Sequence, residues 1–273
     1  MEDNKYANIC PEKYLTEKEN VTYRNIEHIS YFSNSVGCER YANVVLPMNY
    51  STDRKYPVLY ILHGIFGDEN TMLYSENSKI PEILGNMVME GEARETILVY
   101  ASMYATADKN LAPAFSPDTL HPYNFFINDL VGDLIPYIES KYSCLTDRKN
   151  RGIAGFSMGG METLYIALSR SDLFDSVAAI APCPGLIPGK DWAMEHVGLF
   201  KVEELKYAHS DCVPKNVIIC GGDKDSVVGK WPFTYHEVFE KQGIEHTWYL
   251  APDTEHNERI VQSAIYCLLK LWK

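Results

Sequence analysis

The chain lacks several features that would place it at once, and each absence excludes a class. No apolar run approaches the roughly 20 residues that span a bilayer, so a helical membrane protein is not expected. The 7 cysteines (Cys10, Cys38, Cys144, Cys183, Cys212, Cys220 and Cys267) are scattered, with no Cys-x-x-Cys spacing. That excludes a disulfide scaffold, though one pair remains free to bridge, and Cys220 and Cys267 read as buried thiols. Positive charge is in deficit, with 25 Lys and Arg against 37 Asp and Glu and a net charge of -12. Such a surface repels phosphate backbones, so no nucleic-acid partner is expected. No Gly-rich phosphate loop, zinc-spaced histidines or flavin fingerprint occurs, so no cofactor and no metal is expected. Internal repeats, low-complexity tracts and linkers are missing too. The opening Met1-Glu-Asp-Asn-Lys-Tyr6 carries no apolar signal-peptide core. The expectation is therefore either a cytosolic protein or one whose export signal or parent chain has been removed.

What is present describes an ordinary globular chain. Hydrophobic residues make up 46% against 23% charged, enough apolar side chain to build a large core. Residues 1–20 are polar and read as a loosely held arm, with a single domain over 21–273. Residues 21–32 and 40–46 are rich in Tyr, Val and Ile and flank the turn Asn34-Ser-Val-Gly37, which predicts an antiparallel strand pair. Continuous apolar runs at 57–62, 96–102, 176–181 and 216–220 fit strands buried on both faces, and 246–250 reads as a further strand. Helical spacing is expected at 78–90, at 124–142 with a break at Pro136, at 161–168, at 234–242 and at 258–272. Residues 103–122, with Pro113, Pro117 and Pro122, read as a long irregular connection, 182–190 as a Pro/Gly-rich loop, and 191–213 as polar and unassigned. Strands alternating with helices predict a mostly parallel sheet covered on both faces.

One stretch organises the rest: Gly155-Phe156-Ser157-Met158-Gly159-Gly160, with an apolar run before it and a helix-like run after. Strand, tight turn and helix around Gly-x-Ser-x-Gly is the context of a nucleophile elbow, which lifts a serine hydroxyl above the sheet edge. A serine hydroxyl is a poor nucleophile by itself and needs a histidine base and an acid to orient it. On such a sheet these come from later loops, acid first and histidine last. His256, the last of the 8 histidines, follows the final strand in Ala251-Pro-Asp-Thr-Glu-His256. His28, His121, His196, His209, His236 and His246 read as ordinary surface or core residues. Two acids compete after the strand at 216–220. Asp223 sits at the strand end, where it suits a turn cap. Asp225 lies further into the loop and is favoured; Asp253 is too near His256 in sequence. The oxyanion of the tetrahedral intermediate needs backbone donors, for which Met158, after the nucleophile, and Ile65, in His63-Gly64-Ile65, are the candidates.

With these pieces in order the chain resembles carbohydrate esterase family one, the feruloyl and acetylxylan esterases. The similarity runs from about Arg40 to the C-terminus. It includes Ile61-Leu-His-Gly64, Gly155-Phe-Ser-Met-Gly-Gly160, Ser171-Asp-Leu-Phe174, Ala181-Pro-Cys-Pro-Gly185, Val228-Gly-Lys-Trp-Pro-Phe-Thr-Tyr-His236 and His246-Thr-Trp-Tyr-Leu-Ala-Pro252. One departure is Glu255, where related chains often carry glycine before the histidine. The resemblance implies an α/β-hydrolase fold and a serine esterase releasing hydroxycinnamic acids from feruloylated arabinoxylan, without cofactor and outside the cell. Acetylxylan esterase, S-formylglutathione hydrolase-like esterase and acyltransferase are the alternatives, and a hydrolase-fold binding module is the non-enzymatic one. On this reading Phe66, Pro184, Leu186, Ile187, Trp231 and Phe233 line an apolar slot for an aromatic acyl group. Tyr104 and Phe115 are candidate contacts from a lid over residues 103–122.

Overall fold

The computed structural model describes residues 9–19 and 21–273, so the expectations for residues 1–8 and 20 lie outside the described residues. Eight strands form one sheet: β1 (Asn25–Ser33), β2 (Cys38–Leu46), β3 (Val58–Leu62), β4 (Ile97–Ala101), β5 (Arg151–Phe156), β6 (Ser176–Ile180), β7 (Asn216–Gly222) and β8 (Thr247–Ala251). Their spatial order is β1-β2-β4-β3-β5-β6-β7-β8. β1 pairs antiparallel with β2, and β2 with β4; every pairing from β4 through β3, β5, β6 and β7 to β8 is parallel. The protein thus has the α/β-hydrolase architecture, with the antiparallel pair at one edge.

Side-chain alternation along the strands divides the core in two. Val58, Tyr60 and Leu62 of β3 face a layer that includes Phe126, Leu164 and Phe239. Leu59 and Ile61 face the opposite layer, with Ile83, Ile265 and Leu268. The central strands β3 and β4 are buried along their whole length, which is why they read as unbroken apolar runs. Helices α2 (Ile80–Met89) and α7 (Glu258–Leu271) cover one face; α3 (Pro117–Asp129), α4 (Ile135–Lys141), α5 (Met158–Ser169) and α6 (Trp231–Lys241) cover the other. A short helix, α1 (Glu12–Leu15), opens the described chain. It is not loosely held: Tyr14 is buried 5.5 Å from the Tyr266 ring, and the Asn86 side chain donates to the carbonyls of Tyr14 and Thr16. No disulfide joins any of the cysteines among the described residues.

Two prolines moved the expected boundaries. Pro117 sits at the first position of α3, behind the Ser116 cap, where its missing N–H costs nothing. The irregular connection therefore ends at Ser116, and Pro122 lies inside the helix. The expected break at Pro136 becomes a π turn over Leu130–Leu134, in which the Ile135 amide donates to Leu130 and the helical path continues into α4. The connection itself is tied down through Arg40, which bonds Asp129 (2.9 Å) and the Tyr104 carbonyl (2.8 Å).

Glu162 of α5 is fully buried, and neither carboxyl oxygen has a partner among the described residues. Burial pushes its pKa up to about 8. The unfolded carboxyl titrates near ~4.3, so between these values the unfolded chain loses a proton that the fold retains, and stability falls as pH rises. Glu162→Gln should flatten that decline: in thermal scans, the Tm drop between about pH 5 and about pH 8 should shrink by at least ~3 °C. An unchanged slope would show that Glu162 does not control it.

Candidate active site

The elbow is built by close approach. Ser157 has φ 58° and ψ -113°, a backbone that an L-residue holds only under constraint. A Cβ on Gly155 would stand 2.1 Å from the Gly159 oxygen, and one on Gly159 would stand 2.5 Å from the Leu62 oxygen. Only glycine lets β5, α5 and the end of β3 meet there. The turn is then fastened from three strands: the Ser157 amide donates to Ile180 (2.9 Å), the Gly159 amide to His63 (3.0 Å), and Ala181 to Cys220 (2.8 Å). Met158 begins α5, where a helix has no internal acceptor for its N–H.

His256 and Asp225 meet above the same sheet edge. Asp225 Oδ2 lies 2.7 Å from His256 Nδ1, while Oδ1 accepts the amides of Val227 and Val228, each at 3.0 Å. The carboxylate is wholly buried, so every bond it makes is made in low dielectric. The His256 ring stacks on Phe156, immediately before Ser157, with centroids 4.5 Å apart. Asp223 is exposed and does a different job, its Oδ1 accepting the Thr254 amide at 3.2 Å. Asp253 pairs with Lys224. Glu255 is exposed to solvent.

The turn after β3 abuts the elbow, since a Cβ on Gly64 would lie 3.6 Å from the Ser157 Cβ. His63 is buried, and burial pushes its pKa down to about 4, so it is neutral. Its Nε2 accepts the Met103 amide (2.9 Å), which leaves the proton on Nδ1, donated to the Gly64 carbonyl (2.6 Å). That carbonyl and the Ile65 N–H belong to one planar peptide, so fixing the first fixes the second.

Beside Ser157 runs a slot of about 60 Å³ lined by Ile65, Phe115, Leu120, Met158, Trp192 and Val227. Leu120, Met158, Pro184, Met194 and His196 are shared with an adjoining chamber of about 200 Å³. A larger groove of about 510 Å³, beside Tyr23 and Leu84, lies at the opposite end of the strands, away from Ser157. The Phe115 ring meets Trp192 edge-on at 5.2 Å and Phe66 at 5.3 Å, so Phe66, exposed, stands at the mouth.

The other expected slot residues lie elsewhere. Leu186 and Ile187 are buried in the core. Trp231 and Phe233 belong to α6 rather than to a loop: Pro232 stands near the helix start, where proline is favoured. The Trp231 indole packs beneath Gly189, where a Cβ would come within 2.2 Å of it. Phe233 lies on an outer flank, 6.0 Å from Trp248. Tyr104 packs on Tyr123 at 5.0 Å.

The cleft wall instead comes from a small antiparallel hairpin, Gly189–Lys190 against Glu195–His196, which joins the end of the stretch that read as a Pro/Gly-rich loop to the start of the stretch that read as unassigned. Its turn is closed by Asp191, which accepts the amides of Ala193 (2.8 Å) and Met194 (2.7 Å) and faces His196 Nε2 at 3.1 Å. Burial alone would raise the Asp191 pKa, but these bonds outweigh it and hold the carboxyl below its usual range. Trp192 at the tip is anchored through its Nε1–H to the Val227 carbonyl (3.1 Å). His196, which read as ordinary, lines the cleft. Two-residue strands have no periodicity to detect, and the Pro/Gly-rich approach was the sole signal.

Comparison with known proteins shows which family this fold belongs to. The putative esterase family matches residues 33–248. A CE1 ferulic acid esterase from Anaeromyces mucronatus, solved with ferulic acid bound, is 38% identical, with a TM-score of 0.91 over 96% of this chain and 95% of that one. An endo-1,4-beta-xylanase/feruloyl esterase of Xylanibacter ruminicola is 27% identical over 79% of this chain, and endo-1,4-beta-xylanase Y of Acetivibrio thermocellus is 30% identical over 66%. The chain spans only 27% and 15% of the length of those two relatives. It belongs to the esterase family of α/β-hydrolases, in the branch known as carbohydrate esterase family one.

Proposed function

We propose that the protein is a feruloyl esterase that hydrolyses hydroxycinnamoyl esters of plant cell-wall xylan, acting outside the cell where that polymer lies. The observation that carries the chemistry is the 2.7 Å bond between buried Asp225 and His256 beside the constrained Ser157. Ser157 Oγ attacks the ester carbonyl while His256 Nε2 takes its proton. Asp225 holds the imidazole with Nδ1 protonated and stabilises the cation that forms. The amides of Ile65 and Met158 receive the oxyanion. Collapse expels the sugar alcohol, which takes the proton back from His256. Water, deprotonated by the same imidazole, then releases the acid and regenerates Ser157.

The slot supports the acyl preference. An acetyl group needs only the space next to Ser157, whereas a feruloyl group extends past the touching Phe115 and Trp192 rings toward the second chamber. Covering an aromatic ring contributes roughly 25 cal/mol per Å², before ordering costs. The ferulic acid esterase of Anaeromyces mucronatus supports the same choice by likeness. Methyl ferulate should be hydrolysed with a kcat/KM at least about tenfold above methyl acetate, a difference of ~1.4 kcal/mol. Trp192→Ala should remove most of that preference while leaving an acetyl ester within about threefold. Rapid deacetylation of xylan with methyl ferulate untouched would give the protein to the acetylxylan esterases, and selective cleavage of S-formylglutathione to the thioester hydrolases.

A further inference from the structure

We propose that Tyr123 is a positioning residue that holds the Ile65 amide in place for the oxyanion. This rests on the reading of Ile65 as an oxyanion donor. Ile65 lies between two peptide units, and each is pinned by a buried side chain from a different element. The unit on its N-terminal side is fixed through the Gly64 carbonyl by His63. The unit on its C-terminal side is fixed through the Phe66 N–H, which donates to the Tyr123 hydroxyl at 3.0 Å. Tyr123 belongs to α3, is fully buried, and packs against Tyr104 at 5.0 Å and edge-on to His63 at 6.4 Å. Burial pushes its hydroxyl up to about 12, so it remains neutral across the working pH range.

The second pin matters because Phe66 has φ 66°, a left-handed backbone that costs energy for any side chain but glycine. Left alone, the Ile65–Phe66 unit would rotate toward a more relaxed conformation, and the shift this imposes on the Ile65 Cα would re-aim the Ile65 N–H. The Tyr123 hydroxyl opposes that rotation. Tyr123 stands outside the residues lining the slot beside Ser157, so its hydroxyl acts through the loop and not on the acyl group.

The decisive measurement is a split between turnover and binding in Tyr123→Phe. With methyl ferulate, kcat should fall about 10- to 100-fold while KM stays within about threefold, because the donor counts only once the oxyanion develops. Affinity for an arylboronic acid, which adds to a serine hydroxyl as a tetrahedral anion, should fall by a similar factor; affinity for the product ferulate should not. A folded variant with parental kcat overturns the proposal, and so does a matching loss of ferulate affinity, which would make Tyr123 a wall of the slot. A parent unable to hydrolyse any ester overturns this proposal together with the esterase reading. An active parent with an unaffected variant overturns this proposal alone. Should Tyr123→Phe not fold, Phe66→Asn and Phe66→Val test the same loop on p-nitrophenyl acetate. Asparagine tolerates the left-handed backbone and valine does not, so kcat should fall at least about tenfold further for valine than for asparagine. Equal rates for the two overturn the proposal.

Discussion

Ser157→Ala is expected to lower ester turnover by at least about three orders of magnitude while the protein stays folded. Among the described residues of the site, no second nucleophile stands ready to take over. Cys183 lines the same slot, but burial first, then nearby Glu162 and Asp191, push its thiol far above the usual range. It therefore holds almost no thiolate at neutral pH, and a thiol without its thiolate does not attack esters. Alanine keeps the Cβ and costs little packing, although the positive φ at this position remains a strain for either residue. A thermal scan of the variant separates lost chemistry from lost fold. Near-normal hydrolysis by folded Ser157→Ala would sink the serine mechanism, and with it the assignment of His256 and Asp225.

How far the sequence could be read follows from how local each signal was. The elbow was legible because its demands are local: glycines at 155 and 159 are required by contacts with α5 and the end of β3. β3 and β4 were legible because burial on both faces leaves an uninterrupted apolar run. The slot was not, because a side chain's direction depends on element boundaries that proline obscured. Trp231 and Phe233 read as loop residues beside the acid, yet Pro232 starts a helix there and turns Trp231 beneath the hairpin. Leu186 and Ile187 follow a strand end, as cleft residues should, but the chain folds back and buries both. Trp192, Met194 and His196 reach the cleft only through a hairpin too short to leave a pattern. Tyr123 was hidden by distance, since its partner Phe66 lies 57 positions away in the chain.

The second large effect tests the proposed acid, the one position of the triad for which the sequence offered two candidates. Asp225→Asn is expected to reduce turnover by up to about four orders of magnitude. In the parent, the carboxylate Oδ2 accepts the proton on His256 Nδ1 at 2.7 Å, which leaves Nε2 as the nitrogen proposed to take the Ser157 proton. An asparagine that keeps its oxygen on the Val227 and Val228 amides, as the parent Oδ1 does, must turn its NH₂ toward Nδ1. The imidazole then accepts at Nδ1 and carries its proton on Nε2, where it repels the serine hydroxyl proton and cannot act as base. Asp223→Asn should cost far less, because an amide oxygen can still accept the Thr254 amide and the side chain is exposed. The measurement is kcat for both variants on one ester, with thermal stability recorded alongside. A larger loss from Asp223→Asn would move the acid to Asp223. Equal losses accompanied by equal falls in Tm would mean that the loop's folding, rather than the imidazole's tautomer, had been damaged.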